Sequence, residues 1–232
     1  MNVSTSHRIR LGSLALGISA LLFVLFPMVR PFFPIPNGNS PAEFTAVGQA
    51  YTMPAWVGSH LIAVIALVLL LLGMLTLHAY LSNGQGERRA FAGMIFGLAG
   101  IALILPTVGV ETYALPVLGR AYLDGKADLS SIIRSLYSGP DNIVMILGLL
   151  LLAIGGILLA IAIWSSSTLP KWAGVVLAVG LLLWFPLFPQ IIRIIDGLLI
   201  GIGGIWLAWI IWSNTERMPA KATIANAPVA YE

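Results

Sequence analysis

The sequence contains no cysteine, and only 9% of its 232 residues are charged. The absence of cysteine excludes disulfides, thiolate metal sites and cysteine nucleophiles. A soluble domain carries about 25% charged residues, so this shortage of charge excludes an ordinary water-soluble protein. Disorder is excluded too, because disordered chains combine low hydrophobicity with high charge. The net charge is +3, but the basic residues are scattered, and we expect no nucleic-acid partner.

Hydrophobic residues make up 59% of the chain, and they concentrate in six segments. Each segment is close to the roughly 20 residues that a helix needs to cross a bilayer. The segments are approximately Leu11–Val29, Trp56–Leu81, Phe91–Leu118, Asn142–Trp164, Trp172–Gln190 and Gly197–Trp212. The sequence therefore predicts an all-α, polytopic membrane protein with six transmembrane helices. They form one domain over residues 1–212, and a disordered cytoplasmic tail follows over residues 213–232.

The distribution of Lys and Arg predicts the orientation of these helices. Seven basic residues fall on the side of the termini and five on the other side. The positive-inside rule therefore places both termini in the cytoplasm, as an even number of spans requires. The seven are Arg8, Arg10, Arg88, Arg89, Lys171, Arg217 and Lys221, and the five are Arg30, Arg120, Lys126, Arg134 and Arg193. Four tryptophans, Trp56, Trp164, Trp172 and Trp212, fall near span ends, where we expect interfacial anchors.

The two long outer loops each contain a pattern typical of a short helix. The stretch from Ser40 to Glu43 is a capping box with proline at the first helical position. In the second loop, Asp128 precedes an amphipathic run that Gly139-Pro140 ends. We expect both helices to lie on the outer membrane surface or over the bundle.

A weak repeat relates the first, third and fifth spans. Gly12, Gly93 and Gly174 each follow a basic residue closely and are spaced by 81 residues. This spacing indicates three tandem helical hairpins, although the chain's 24 glycines make coincidence a real alternative. Two further glycine pairs with four-residue spacing, Gly93/Gly97 and Gly197/Gly201, are typical of close helix packing.

Polar residues within or beside the spans are candidates for function, because burying them in a bilayer is costly. No Lys, Arg, Asp or Glu occurs in residues 57–85 or 143–169. The remaining candidates gather near the outer boundary. We predict an outward-facing ligand pocket of His60, Glu111 and Arg193, with Tyr113 or Asn142 nearby. Glu111 could pair with Arg193 and orient His60 or grip a polar headgroup. The alternative is that these residues are interfacial charges that serve only topology.

No catalytic, nucleotide-binding or metalloprotease motif is present, and we predict no cofactor and no metal. His60 and Glu111 have no third metal ligand at a recognisable spacing. His60 and His78 are 18 residues apart, about 27 Å along a helix, so they would belong to separate sites. Ligation of a pigment by one histidine stays open.

Three stretches carry a resemblance: Ser59-His60-Leu61, Leu77-His78-Ala79, and the six residues from Leu169 to Gly174. In these stretches the chain resembles uncharacterised bacterial six-helix membrane proteins. The resemblance implies a location in a bacterial cytoplasmic membrane, but it implies no particular activity. We expect a non-enzymatic protein that binds a lipid or hydrophobic ligand, or that is a subunit of a membrane complex. Membrane lipids, a membrane-protein partner or a second copy would be its partners. The alternatives are a transporter or channel for a small solute and a membrane enzyme with an outward His/Glu/Arg site.

Overall fold

The computed structural model describes residues 3–32, 40–82, 84–184 and 189–217, and within them it has eight α-helices and no strand. The helices are α1 (Val3–Val29), α2 (Pro41–Thr52), α3 (Pro54–Leu81), α4 (Glu87–Leu123), α5 (Leu129–Ser138), α6 (Pro140–Ser165), α7 (Lys171–Leu183) and α8 (Gln190–Arg217). Five of them (α1, α3, α4, α6 and α8) are long and apolar enough to cross a membrane. The predicted all-helical class is confirmed. The fifth predicted span corresponds to α7, which has only 13 helical residues.

Six helices form a closed ring in the order α1, α3, α4, α6, α7, α8, and α8 packs back against α1. Neighbours in the ring are antiparallel. At one end, the Gln190 amide donates to the backbone carbonyls of Pro27 and Arg30 at 3.1 Å. At the other end, Arg10 pairs with Glu216 at 2.7 Å. We call the first the loop end, because α2 and α5 lie there, and the second the termini end.

Glycines bring the ring helices into close contact. A Cβ at Gly100 would meet the backbone nitrogen of Leu152 at 2.5 Å, so α4 and α6 touch through their backbones. The predicted small-residue faces are used inside the ring: Gly93 packs on α6, and Gly197 packs on α1. The glycines of the proposed repeat are not equivalent. Gly12 and Gly93 face the second helix of their own hairpin, whereas Gly174 faces Ile163 of the preceding one.

The two short helices occur where the loop patterns predict them. The Asp128 carboxylate caps α5 by accepting from the backbone amides of Ser130 and Ser131. Proline occupies the first turn of α2, but the side chain of Ser40 makes no capping bond.

At the C-terminal end of the described chain, α8 extends to Arg217, so the first residues of the predicted tail are helical. Residues 218–232 lie outside the described residues.

Candidate functional site

A small cavity lies inside the ring toward the loop end, and we call it the His60 cavity. It encloses about 30 Å³ and is partly open. Each of the six ring helices, or the residue directly after it, contributes to the lining. The polar lining residues are His60, Thr107, Glu111, Arg193 and Asp196; apolar side chains such as Phe26 and Met145 complete the wall. Since a water molecule needs about 10–15 Å³ measured in this way, the cavity has room for about two.

His60 is fixed at both of its ring nitrogens. Its side chain is 1% exposed, and Nδ1 lies 2.8 Å from the Trp56 carbonyl oxygen. A carbonyl only accepts, so Nδ1 carries the proton, and in a neutral ring Nε2 would then be an acceptor. Yet Nε2 lies 3.4 Å from Oε2 of Glu111. The two side chains form an ion pair when the ring is protonated.

Aromatic and basic side chains surround this pair. The Trp56 indole donates to the backbone oxygen of Glu111 at 2.7 Å, and its ring centre lies 4.3 Å from that of His60. The Arg30 guanidinium lies over the Trp56 ring, 4.9 Å from its centre. Burial, together with the negative charge of Glu111, raises the pKa of Tyr51, whose ring also packs on Trp56. The prediction that Trp56 is an interfacial anchor is wrong, because Trp56 is fully buried beneath α2.

Two ionisable residues of α8 complete the site. Arg193 and Asp196 are three residues apart and therefore share a helix face. Asp196 is 1% exposed, and the Gly197 amide donates to its carboxyl group. Its Oδ2 atom is buried and has no hydrogen-bond partner within the described part of the chain. Asp196 is not among the site residues predicted from the sequence, although an acid inside an apolar helix, one turn from Arg193, is a signal for it.

The structure brings three of the five predicted site residues together. His60, Glu111 and Arg193 line the same cavity, and the charges of Arg30 and Arg193 act on Glu111. Tyr113 is 66% exposed and does not line the cavity, because two residues turn an α-helix by about 200° away from Glu111. Asn142 is half-buried one turn from the lining residue Met145, and its Oδ1 atom has no hydrogen-bond partner in the described ranges.

The chemistry of this site is that of hydrogen bonding and charge. Among residues 3–32, 40–82, 84–184 and 189–217, no three His, Asp or Glu side chains are grouped to hold a metal ion. The cavity presents the carboxyl group of Asp196 on one side and the His60–Glu111 pair on another. In comparisons with known protein families, curated proteins and solved structures, nothing matches this chain.

Proposed function

We propose that this chain is a six-span integral membrane protein that binds an amphipathic ligand through a small hydrogen-bond-donating head group, a hydroxyl or an amine. The head group enters the His60 cavity, and the apolar remainder of the ligand lies against the helices. The observation that carries this proposal is that Asp196 lines the cavity and that its buried Oδ2 atom has no hydrogen-bond partner among the described residues.

Leaving a buried acceptor without a hydrogen bond costs about 1–3 kcal/mol. A ligand that donates a hydrogen bond to Asp196 removes this cost, and the affinity of the ligand rises accordingly. An alcohol or ammonium group supplies such a donor, whereas a carboxylate supplies only acceptors. The size of the cavity supports a small head group. About 30 Å³ accepts a head of about two heavy atoms, so a whole lipid does not fit inside the ring.

The centre of the ring below the cavity is filled by apolar side chains. Leu67, Leu70 and Met74 of α3 meet Ile101 and Leu152 there, and all are fully buried. This packing favours a binding protein over an open channel.

A role as a subunit of a larger complex is compatible with the same site. Native mass spectrometry of gently extracted protein, together with an absorption spectrum, would detect a retained partner, lipid or pigment.

For the membrane setting, we propose a bacterial cytoplasmic membrane with both termini inside. The six-span topology is supported by the positions of two helix starts. The α7 helix begins beside Trp164, near the termini end, whereas α8 begins at the loop end beside Pro27. Lys171 and Gln190 therefore lie at opposite ends of the ring.

The test compares three probes with the same chain and different heads: dodecylamine, dodecanol and dodecanoate. We expect the amine and the alcohol to raise the melting temperature of the purified protein, and the carboxylate to have no such effect. In D196N, the remaining side-chain oxygen accepts from the Gly197 amide, and the new NH₂ group faces the cavity as a donor. The variant should therefore lose the response.

The matched control is D141N, which makes the same change at an exposed position of the same end. It should respond to the probes as the wild type does. Equal stabilisation by dodecanoate, or an unchanged response of D196N, would overturn the proposal.

A further inference from the structure

A second, chemically different pocket lies on the outside of the ring, between α6 and α7. This α6–α7 groove has a volume of about 330 Å³, and its lining is entirely apolar. Ala160 and Ala178 form part of the lining where larger side chains would fill it, and Ile157, Ile161, Val179 and Leu182 line the rest. From Trp164 to Ile157 the groove follows α6 for about 10 Å.

Positive charge is concentrated where the groove ends at Trp164. The Lys171 ammonium lies 5.5 Å from the centre of the Trp164 ring. The next residue on α6, Ser165, accepts a hydrogen bond of 3.2 Å from Arg89. Trp172 packs edge-on against Trp164 with its ring largely exposed. Two exposed cations and two tryptophans therefore surround one end of an apolar groove, which is the arrangement found where a bilayer meets its headgroups.

We propose that the α6–α7 groove binds an anionic phospholipid, with one acyl chain in the groove and the phosphate headgroup between Lys171 and Arg89. The apolar lining matches a hydrocarbon chain, and basic residues beside a membrane surface attract anionic headgroups. A partner transmembrane helix fits less well, since it spans about 30 Å of hydrocarbon and the groove is much shorter. This site is separate from the His60 cavity, and neither proposal depends on the other.

The experiment uses the full-length protein in nanodiscs of equimolar phosphatidylglycerol and phosphatidylethanolamine, followed by native mass spectrometry of the released protein. We expect the wild type to retain phosphatidylglycerol preferentially. The double variant K171Q/R89Q should lose that preference by about fivefold for each charge removed. The control R8Q/R88Q removes the same net charge from exposed positions of the same end and should keep the preference.

A second variant tests the groove without changing charge. Ala160→Phe places a ring in the groove, so it should reduce retention of both lipids while the melting temperature identifies folded protein. An unchanged phosphatidylglycerol preference in K171Q/R89Q would overturn the proposal. Retention of a second copy of the chain in place of lipid, lost in Ala160→Phe, would overturn it in favour of a protein interface.

Discussion

His60 on α3 and Glu111 on α4 face each other with Nε2 and Oε2 3.4 Å apart, and the backbone carbonyl of Trp56 fixes the tautomer of the imidazole. The indole of the same tryptophan donates to the Glu111 backbone. The pair therefore joins two neighbouring ring helices by side-chain and backbone bonds at one level of the membrane. Both residues line the same cavity as a second acidic residue, Asp196.

Removing the carboxyl group should test this geometry. In Glu111→Leu, the Nε2 atom of His60 loses its partner, and we expect the free energy of unfolding to fall by about 1–3 kcal/mol. In Glu111→Gln, the amide can donate to Nε2 without an additional proton, so the loss should be less than half as large. Reversible unfolding in mixed micelles measures both values. E87Q, at an exposed position of the same helix, is the control. A larger loss of unfolding free energy in Glu111→Gln than in Glu111→Leu would contradict a direct interaction between residue 111 and His60.

Two glycines of α4 should respond oppositely to the same substitution. A Cβ at Gly100 would approach backbone atoms of Leu152 and Gly148 at 2.5 and 2.6 Å, whereas a Cβ at Gly109 would meet nothing within 4 Å. We expect Gly100→Ala to destabilise by about 1–3 kcal/mol through overpacking. Gly109→Ala should be neutral or stabilise by up to about 1 kcal/mol, because alanine is the better helix former. Thermal unfolding of the two variants measures the difference. Equal melting temperatures would show that α4 and α6 do not touch through their backbones.

The cap of α5 should give a pH-dependent difference between wild type and D128N. The hydroxyl of Ser130 and the amide of Ser131 donate to Asp128 and lower its pKa below the usual value. The charged cap is therefore fully formed above the unfolded-state pKa of about 3.9. Its contribution is lost as the pH falls through the lower folded-state pKa. Asparagine still accepts but carries no charge, so D128N should protect the α5 amides less than wild type at pH 7.

Hydrogen exchange of wild type and D128N, compared at the same pH, cancels the intrinsic pH dependence of exchange. The two proteins should converge once the pH falls below the folded-state pKa of Asp128. A constant difference across this range would mean that the charge of Asp128 contributes nothing to the cap.

Local patterns were sufficient to predict much of the fold. The position of α5 follows from Asp128 and Gly139, since a cap and a stop act within a few residues. The apolar segments predict the long helices, because a bilayer imposes their length. Aligning the predicted spans across the bilayer also places several polar residues at the same depth, near one boundary. His60 and Glu111 belong to this group.

Other features depend on contacts that no local pattern contains. Trp56 lies at a span end, as interfacial tryptophans do, but α2 covers it and its indole is needed at Glu111. Within the fifth predicted span, α7 ends at Leu183, and Trp184 after it is non-helical. Asp196 acquires its role only when the ring closes and brings α8 to the cavity.

Whether α6 crosses the membrane, and in which direction, can be decided by labelling, because the protein has no cysteine of its own. Ser138 at the end of α5 and Ser167 between α6 and α7 are both exposed, so single cysteines there disturb little. With six spans and cytoplasmic termini, a membrane-impermeant maleimide should label S138C in intact cells, and label S167C only after lysis. Labelling of S167C alone in intact cells would invert the orientation. Labelling of both would place the two loops on one side, which is incompatible with α6 as a span.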